Sequence, residues 1–166
     1  MAKRGKIQKT NAMRELERAG VSYEWRTYDD DGEEARGLGL AIARQLGEDP
    51  GQGFKTLVAQ AATGSCAVCC VPVMAEIDFK AAARALGEKS LSMLPTKRLV
   101  EVTGYMRGGC SPIGMKKRLP TVIDESCLRY DRVFISGGRR GLQLVVSPLD
   151  LVDLLGATVA PITRAL

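Results

Sequence analysis

The apolar positions Ala12, Met13, Leu16 and Ala19 recur at helical spacing, and Gly20 stands where such a helix would close. The spacing predicts a helix over Asn11–Ala19. The period then changes. Val21, Tyr23 and Trp25 alternate with Ser22, Glu24, Arg26 and Tyr28, which predicts a strand over Val21–Tyr28. Asp29-Asp30-Asp31-Gly32 breaks it. A second helix is expected over Leu38–Leu46, closed by Gly47 and Pro50. Two apolar runs of strand length, Phe54–Gln60 and Ser65–Val73, flank a Thr63-Gly64 turn. Asp78 is placed to cap a helix over Phe79–Leu86, ended by Gly87, and Thr96 to cap another over Lys97–Val102, ended by Gly104.

From 104 to 120 the chain is rich in Gly, Pro and Lys and reads as a loop. Thr121–Ile123, Arg132–Ile135 and Leu142–Val146 read as strands, the last two joined by the turn Ser136-Gly137-Gly138-Arg139-Arg140-Gly141. Ser147-Pro148 supplies a capping hydroxyl and then a proline at the first helical position. That helix runs to Gly156, and a strand over Thr158–Ile162 follows. Helices and strands alternate unevenly, with hairpins among them. The pattern predicts one α/β domain, a mixed sheet curled toward a barrel with helices outside, and argues against a doubly wound fold. Residues 1–10 read as a basic, flexible arm and residues 11–166 as the domain.

The totals narrow the function. The chain has 166 residues, 45% of them apolar, enough for a core without staples. No apolar run reaches the roughly 20 residues of a membrane span. The basic start (Lys3, Arg4, Lys6, Lys9) lacks the apolar stretch of a signal peptide, so a cytoplasmic location is expected. The five cysteines are an odd number and are read as reduced thiols. A net charge of +5 suits a polyanionic partner without requiring one. The sequence contains no histidine, which removes the usual general base and the commonest metal ligand.

Four constellations could carry chemistry. Lys55 lies among apolar strand residues, sharing a face with Leu57 and Ala59. Its ammonium either snorkels to solvent or belongs to a pocket. The segment Thr103–Gly114 holds four glycines, so its backbone can approach a ligand and offer amides to an anion, or can simply turn. Lys116-Lys117-Arg118, with Arg107, Arg129, Arg139 and Arg140, could meet phosphates or form a solvated face. Cys66-Ala67-Val68-Cys69-Cys70 resembles a metal motif, but odd spacing on a strand sends Cys66 and Cys69 to opposite faces, so core packing is expected. Cys110, in the glycine segment, lacks a histidine to activate it.

Several stretches together resemble the YbaK family of editing proteins. They are Phe54-Lys55-Thr56-Leu57-Val58, Asp78–Ala82, Leu86–Ser90, Thr103-Gly104-Tyr105 through Gly108–Gly114 to Lys116-Lys117, Ser136–Gly141 and Ser147–Leu151. The likeness spans about residues 10 to 162, in order. It implies a mixed, barrel-like sheet flanked by helices, similar to the editing domain inserted in bacterial prolyl-tRNA synthetases. It further implies hydrolytic or cyclising removal of cysteine from mischarged tRNA specific for proline, with Cys-tRNA(Cys) as a further candidate substrate, and with aminoacyl-tRNA (its acceptor end) and prolyl-tRNA synthetase as partners. No cofactor or metal is implied, and the oligomeric state is expected to be monomer or weak dimer.

Carried over residue by residue, the family's essential lysine falls on Lys55. Lys55 and Gly108 are the expected catalytic residues; Tyr28, Thr56, Gly109, Cys110, Ser111 and Pro112 are the expected substrate-binding ones. The position after the Gly-Arg-Arg-Gly turn, Asp in some members, is Gln143. The implied mechanism is substrate-assisted: the cysteinyl thiol attacks its own ester, which answers the lack of histidine. Three rival readings remain. One is a deacylase for another small aminoacyl group such as alanyl. Another is a non-catalytic module binding tRNA or a synthetase. The third is a metal or redox module built on Cys66, Cys69 and Cys70.

Overall fold

The computed structural model describes residues 7–30 and 37–164. The expected break at Asp31-Gly32 and most of the expected basic arm lie outside the described residues. The chain runs through α1 (Asn11–Arg18), β1 (Glu24–Thr27), α2 (Leu38–Leu46), β2 (Phe54–Ala61), β3 (Cys66–Pro72), β4 (Glu76–Ile77), α3 (Phe79–Leu86) and β5 (Leu91–Met93). It continues through α4 (Leu99–Thr103), β6 (Thr121–Asp124), β7 (Val133–Ser136), β8 (Leu142–Val146), α5 (Pro148–Leu155), β9 (Thr158–Ala160) and β10 (Thr163–Arg164). Side-chain caps start three of the helices. The Thr10, Asp78 and Ser147 side chains accept from the backbone N–H groups of Met13, Ala81 and Asp150.

The largest sheet is five-stranded and mixed, in the order β5-β2-β3-β6-β9. Strand β2 is antiparallel to β3 and β5, while β3, β6 and β9 run parallel. A three-stranded antiparallel sheet, β1-β8-β7, stands beside it, and β4 pairs with β10. The two larger sheets meet where Gly53 bridges Phe134. The barrel-like expectation holds only to this extent, because among the described residues β5 and β9 remain edges and no ring of strands closes.

Period-two alternation divides the core. Val68 and Cys70 of β3 enter one cluster with Phe54, Met13, Leu16, Ile135 and Leu144. Ala67, Cys69 and Val71 enter a second, against Ala82 and Ala83 of α3. A third, smaller cluster joins Val58, Leu94, Tyr105 and Cys110. Burying each large apolar side chain contributes roughly 1.5–3 kcal/mol, and the first cluster, the largest, anchors the fold. Asp124, only 4% exposed, ties the end of the chain to this core. Its carboxylate accepts from Ile162 N at 3.0 Å and from Ser126 N at 3.2 Å.

The structure departs from the sequence reading in several places. Strand β1 starts at Glu24 rather than Val21, because Val21 N–H donates to Leu16 O and closes α1. Thr96 caps nothing. It opens a 3-10 turn, Thr96–Arg98, that runs into α4. Strands β4, β5 and β10 and the 3-10 turn Glu125–Arg129 were not foreseen. The last four residues before α1 make several contacts. Ile7 packs on the core, Arg139 donates to Gln8 O, Lys9 pairs with Glu17, and the Thr10 hydroxyl donates to Gly137 O at 2.6 Å.

Candidate active site

A cavity of about 380 Å³ opens between the two sheets, lined by Tyr28, Glu48, Lys55, Thr56, Arg107, Gly108, Cys110 and Gln143 among others. Its apolar wall includes Leu38, Phe54, Leu57, Val58, Leu94 and Leu99. The opening follows from strand lengths. Strand β5 is only three residues long and pairs with Ala59–Ala61, so it does not flank the first residues of β2. Val58 O faces this edge, accepting from Leu94 N. By alternation the Thr56 backbone N–H and carbonyl face the same way. Lys55 and Thr56 leave β2 on opposite faces, and the open edge lets both reach the cavity.

Lys55 is half-buried, and its pKa is lowered chiefly by burial, against an opposing pull from Glu76. Its ammonium is therefore partly withdrawn from water. Thr56 Oγ1 is buried, and the Cys70 thiol beside it interacts with it. Tyr28 is 8% exposed, and burial raises its hydroxyl, opposed by a hydrogen bond from the Gly141 backbone.

The glycine segment reaches the cavity because it can lie flat on the turn between β7 and β8. Gly108 has φ of +85°, in the left-handed region. A Cβ on Gly109 would stand 2.7 Å from Arg139 Cα and 2.9 Å from Arg140 N. The Tyr105 hydroxyl donates to Ile113 O at 2.7 Å and pins the far end of the segment. Ser111 is fully buried, and its Oγ accepts from Ile113 N at 3.3 Å.

Of the expected site residues, Tyr28, Lys55, Thr56, Gly108 and Cys110 come together on this one cavity. Gly109, Ser111 and Pro112 do not line it. Gly109 is spent on the contact with Arg139 and Ser111 on the shape of the loop, while Pro112 borders a separate small hollow with Glu15, Lys117 and Arg118. The basic residues divide likewise. Arg107 is exposed at the cavity, Arg140 pairs with Asp30 beside Gly108, and Lys116–Arg118 are exposed elsewhere on the surface.

Burial raises the Cys110 thiol to about 11. At pH 7 only about one such thiol in 10⁴ is ionised, so Cys110 is a poor nucleophile. Cys69 is raised to about 12 by burial, and Cys70 is raised further. Cys66, Cys69 and Cys70 fall into three different clusters, in line with core packing. No group of three or more metal-ligating side chains forms among the described residues.

One cavity residue escaped the sequence reading. Glu48 follows Gly47, whose φ of +67° closes α2, and Glu48 N–H donates to Ala43 O at 2.9 Å. This closure turns the Glu48 side chain inward until it is 4% exposed. Its carboxylate takes Arg26 at 2.6 Å and Gln143 Nε2 at 2.8 Å. A signal was present: the residue after a closing glycine usually makes an apolar contact, and here it is charged.

Comparison with known proteins converges on one family. The Aminoacyl-tRNA editing domain profile matches residues 33–154. A curated Enterococcus faecalis protein, EbsC, named as a candidate Cys-tRNA(Pro)/Cys-tRNA(Cys) deacylase, is 40% identical over 163 residues, 98% of each chain. A crystal structure described as a candidate trans-editing enzyme for prolyl-tRNA synthetase superposes with a TM-score of 0.81 at 26% identity, covering 93% of this chain and 96% of that one. A hypothetical protein of known structure shares the fold at a TM-score of 0.83 and 22% identity, over 93% of this chain and all of the other. A matched segment covering most of the chain, together with a full-length relative at that identity, makes this chain a member of the aminoacyl-tRNA editing domain family.

Proposed function

We propose that the protein is an aminoacyl-tRNA deacylase that removes cysteine from mischarged Cys-tRNA(Pro). The observation that carries the reading is that the half-buried Lys55 and the Gly108 loop line one mostly apolar cavity in a chain without histidine. Such a site has weak means of activating water. It is well equipped to hold an ester and to favour the charge that develops on its carbonyl oxygen.

The chemistry then falls to the substrate. The cysteinyl sulfur attacks its own carbonyl carbon, and an S–C bond forms while the C–O bond to the terminal ribose breaks. The thiol proton ends on the departing ribose oxygen, and a four-membered thiolactone leaves. Lys55 and the Gly108 amide stabilise the oxyanion of this step. Thr56 and Tyr28 shape the wall around the side chain. Arg107, at the cavity rim, is placed to meet the phosphate of the acceptor end. The likeness to the trans-editing structure supports prolyl-tRNA synthetase as a partner. Lys55→Ala should abolish release of cysteine from Cys-tRNA(Pro) while the chain stays folded. Near-normal turnover would remove Lys55 from the mechanism.

A further inference from the structure

Gln143 is 6% exposed and lines the cavity, and its Oε1 has no hydrogen-bond partner among the described residues. An orphaned acceptor this deeply buried is uncommon, because leaving it unpaired is costly. Its orientation is not free to relax. Glu48 Oε1 lies 2.8 Å from Nε2, and a carboxylate only accepts, so the amide nitrogen must face Glu48 and the oxygen must face away. Glu48 is itself held by Arg26 at 2.6 Å and by the closure of α2. Arg26, Gln143 and Ser136 stand in one row across β1, β8 and β7, and so share a face. Arg26 also lies over the Phe134 ring, 5.0 Å from its centre.

We propose that Gln143 Oε1, oriented by Glu48, accepts a hydrogen bond from the α-ammonium of the bound aminoacyl ester. Gln143 is the binding residue and Glu48 the positioning residue. This inference rests on the deacylase reading and adds the group the site recognises. The missing partner must donate. The neighbouring carboxylate polarises the amide and enriches its oxygen in negative charge, which favours a cationic donor. Gln143 belongs to the three-stranded sheet and Lys55 to the five-stranded one, so the two polar groups stand on different walls. One addresses the amine of the substrate while the other addresses its carbonyl. The site would thereby separate amino esters from hydroxy esters and from N-acylated esters.

The test compares tRNA carrying cysteine with tRNA carrying 2-hydroxy-3-mercaptopropionate, which keeps the thiol and the ester but lacks the amine. The readout is the ratio of kcat/KM for the two esters in the wild type, Gln143→Met and Glu48→Gln. The wild type should prefer the amino ester. Gln143→Met, similar in size, should reduce that preference by about 10- to 100-fold, mainly through KM. Glu48→Gln, whose amide lets Gln143 turn either way, should reduce it in part. A wild type with no preference overturns the subsite without recourse to any variant. An unchanged preference in Glu48→Gln removes its positioning role. Equal losses on both esters in Gln143→Met would place a shared group, such as a ribose hydroxyl, at Oε1 and overturn the assignment. A wild type inactive on both esters would remove the deacylase reading and the subsite with it.

Discussion

Gly109→Ala isolates the contact that sets the glycine loop on its floor. Gly109 has no positive φ to protect, so backbone strain does not enter. The new methyl would stand 2.7 Å from Arg139 Cα, 2.9 Å from Arg139 C and 2.9 Å from Arg140 N. Ordinary carbon contacts begin near ~3.5 Å, so the overlap is roughly 0.8 Å. All three atoms are backbone, fixed between β7 and β8, and no rotamer change relieves them. The loop must lift, and Gly108, one residue away, lifts with it.

Overpacking of this kind costs about 1–3 kcal/mol. For a chain of this size that lowers Tm by about 2–12 °C. Displacement of a reacting geometry by up to about 1 Å costs up to about 100-fold in rate, so kcat on Cys-tRNA(Pro) should fall tenfold or more. The control is Gly64→Ala in the hairpin between β2 and β3. There φ is +91° and nothing lies within 4 Å of the new methyl. It should cost about 1–2 kcal/mol from left-handed strain alone and leave turnover intact. Thermal melts and a deacylation time course on the two variants decide the matter. Gly109→Ala losing stability but keeping full turnover would refute the idea that the seat of this loop governs the site.

Three further predictions follow from buried polar groups. Burial holds Lys55 below the usual lysine value of 10.5, so the folded state binds that proton less tightly than the unfolded chain. The penalty is therefore present at neutral pH and disappears as pH rises from the lowered folded value to 10.5. Lys55→Met should abolish turnover while Tm at pH 7 stays level or rises; a clear fall would mean that Lys55 holds structure. Cys110→Ser should retain appreciable activity, and total loss in a folded variant would revive a nucleophilic cysteine against a thiol raised to about 11. Asp124→Ala strips two backbone N–H groups of their charged acceptor and should cost about 2–4 kcal/mol in urea unfolding, whereas a loss below about 0.5 kcal/mol would show that water satisfies them.

Much of the fold was legible because local signals agreed. The caps at Asp78 and Ser147 and the closing glycines at 20, 47, 87 and 156 bracket four helices to within a residue or so. The hairpin of β2 and β3 showed in two long apolar runs. Strands β4 and β10 have two residues each, and β5 has three, too short for alternation to register. They exist because neighbouring edges accept them. Val21 and Tyr23 have strand-like alternation, yet the backbone at Val21 is used to close α1.

The site was legible in composition rather than in geometry. Lys55 and the glycine loop stood out as residues, but nothing local says that β5 stops short and opens the edge of β2 between them. Ser111 and Pro112 belong to the same run as Gly108, and alternation is no guide in a loop as to which residues face inward. The Glu48–Gln143 contact joins residues 95 apart in the chain. Each side chain alone reads as an exposed polar group, and only tertiary packing buries them together.

In the proposed reaction the substrate's own sulfur does the chemistry while the cavity supplies position and charge. The most direct measurement is the rate of deacylation of cysteinyl-tRNA and alanyl-tRNA by the wild-type chain under the same conditions. An alanyl group fits wherever a cysteinyl group fits and lacks only the thiol. Cysteine should be lost rapidly, and the alanyl ester should outlast the assay. Comparable rates on the two esters would contradict the proposed reaction.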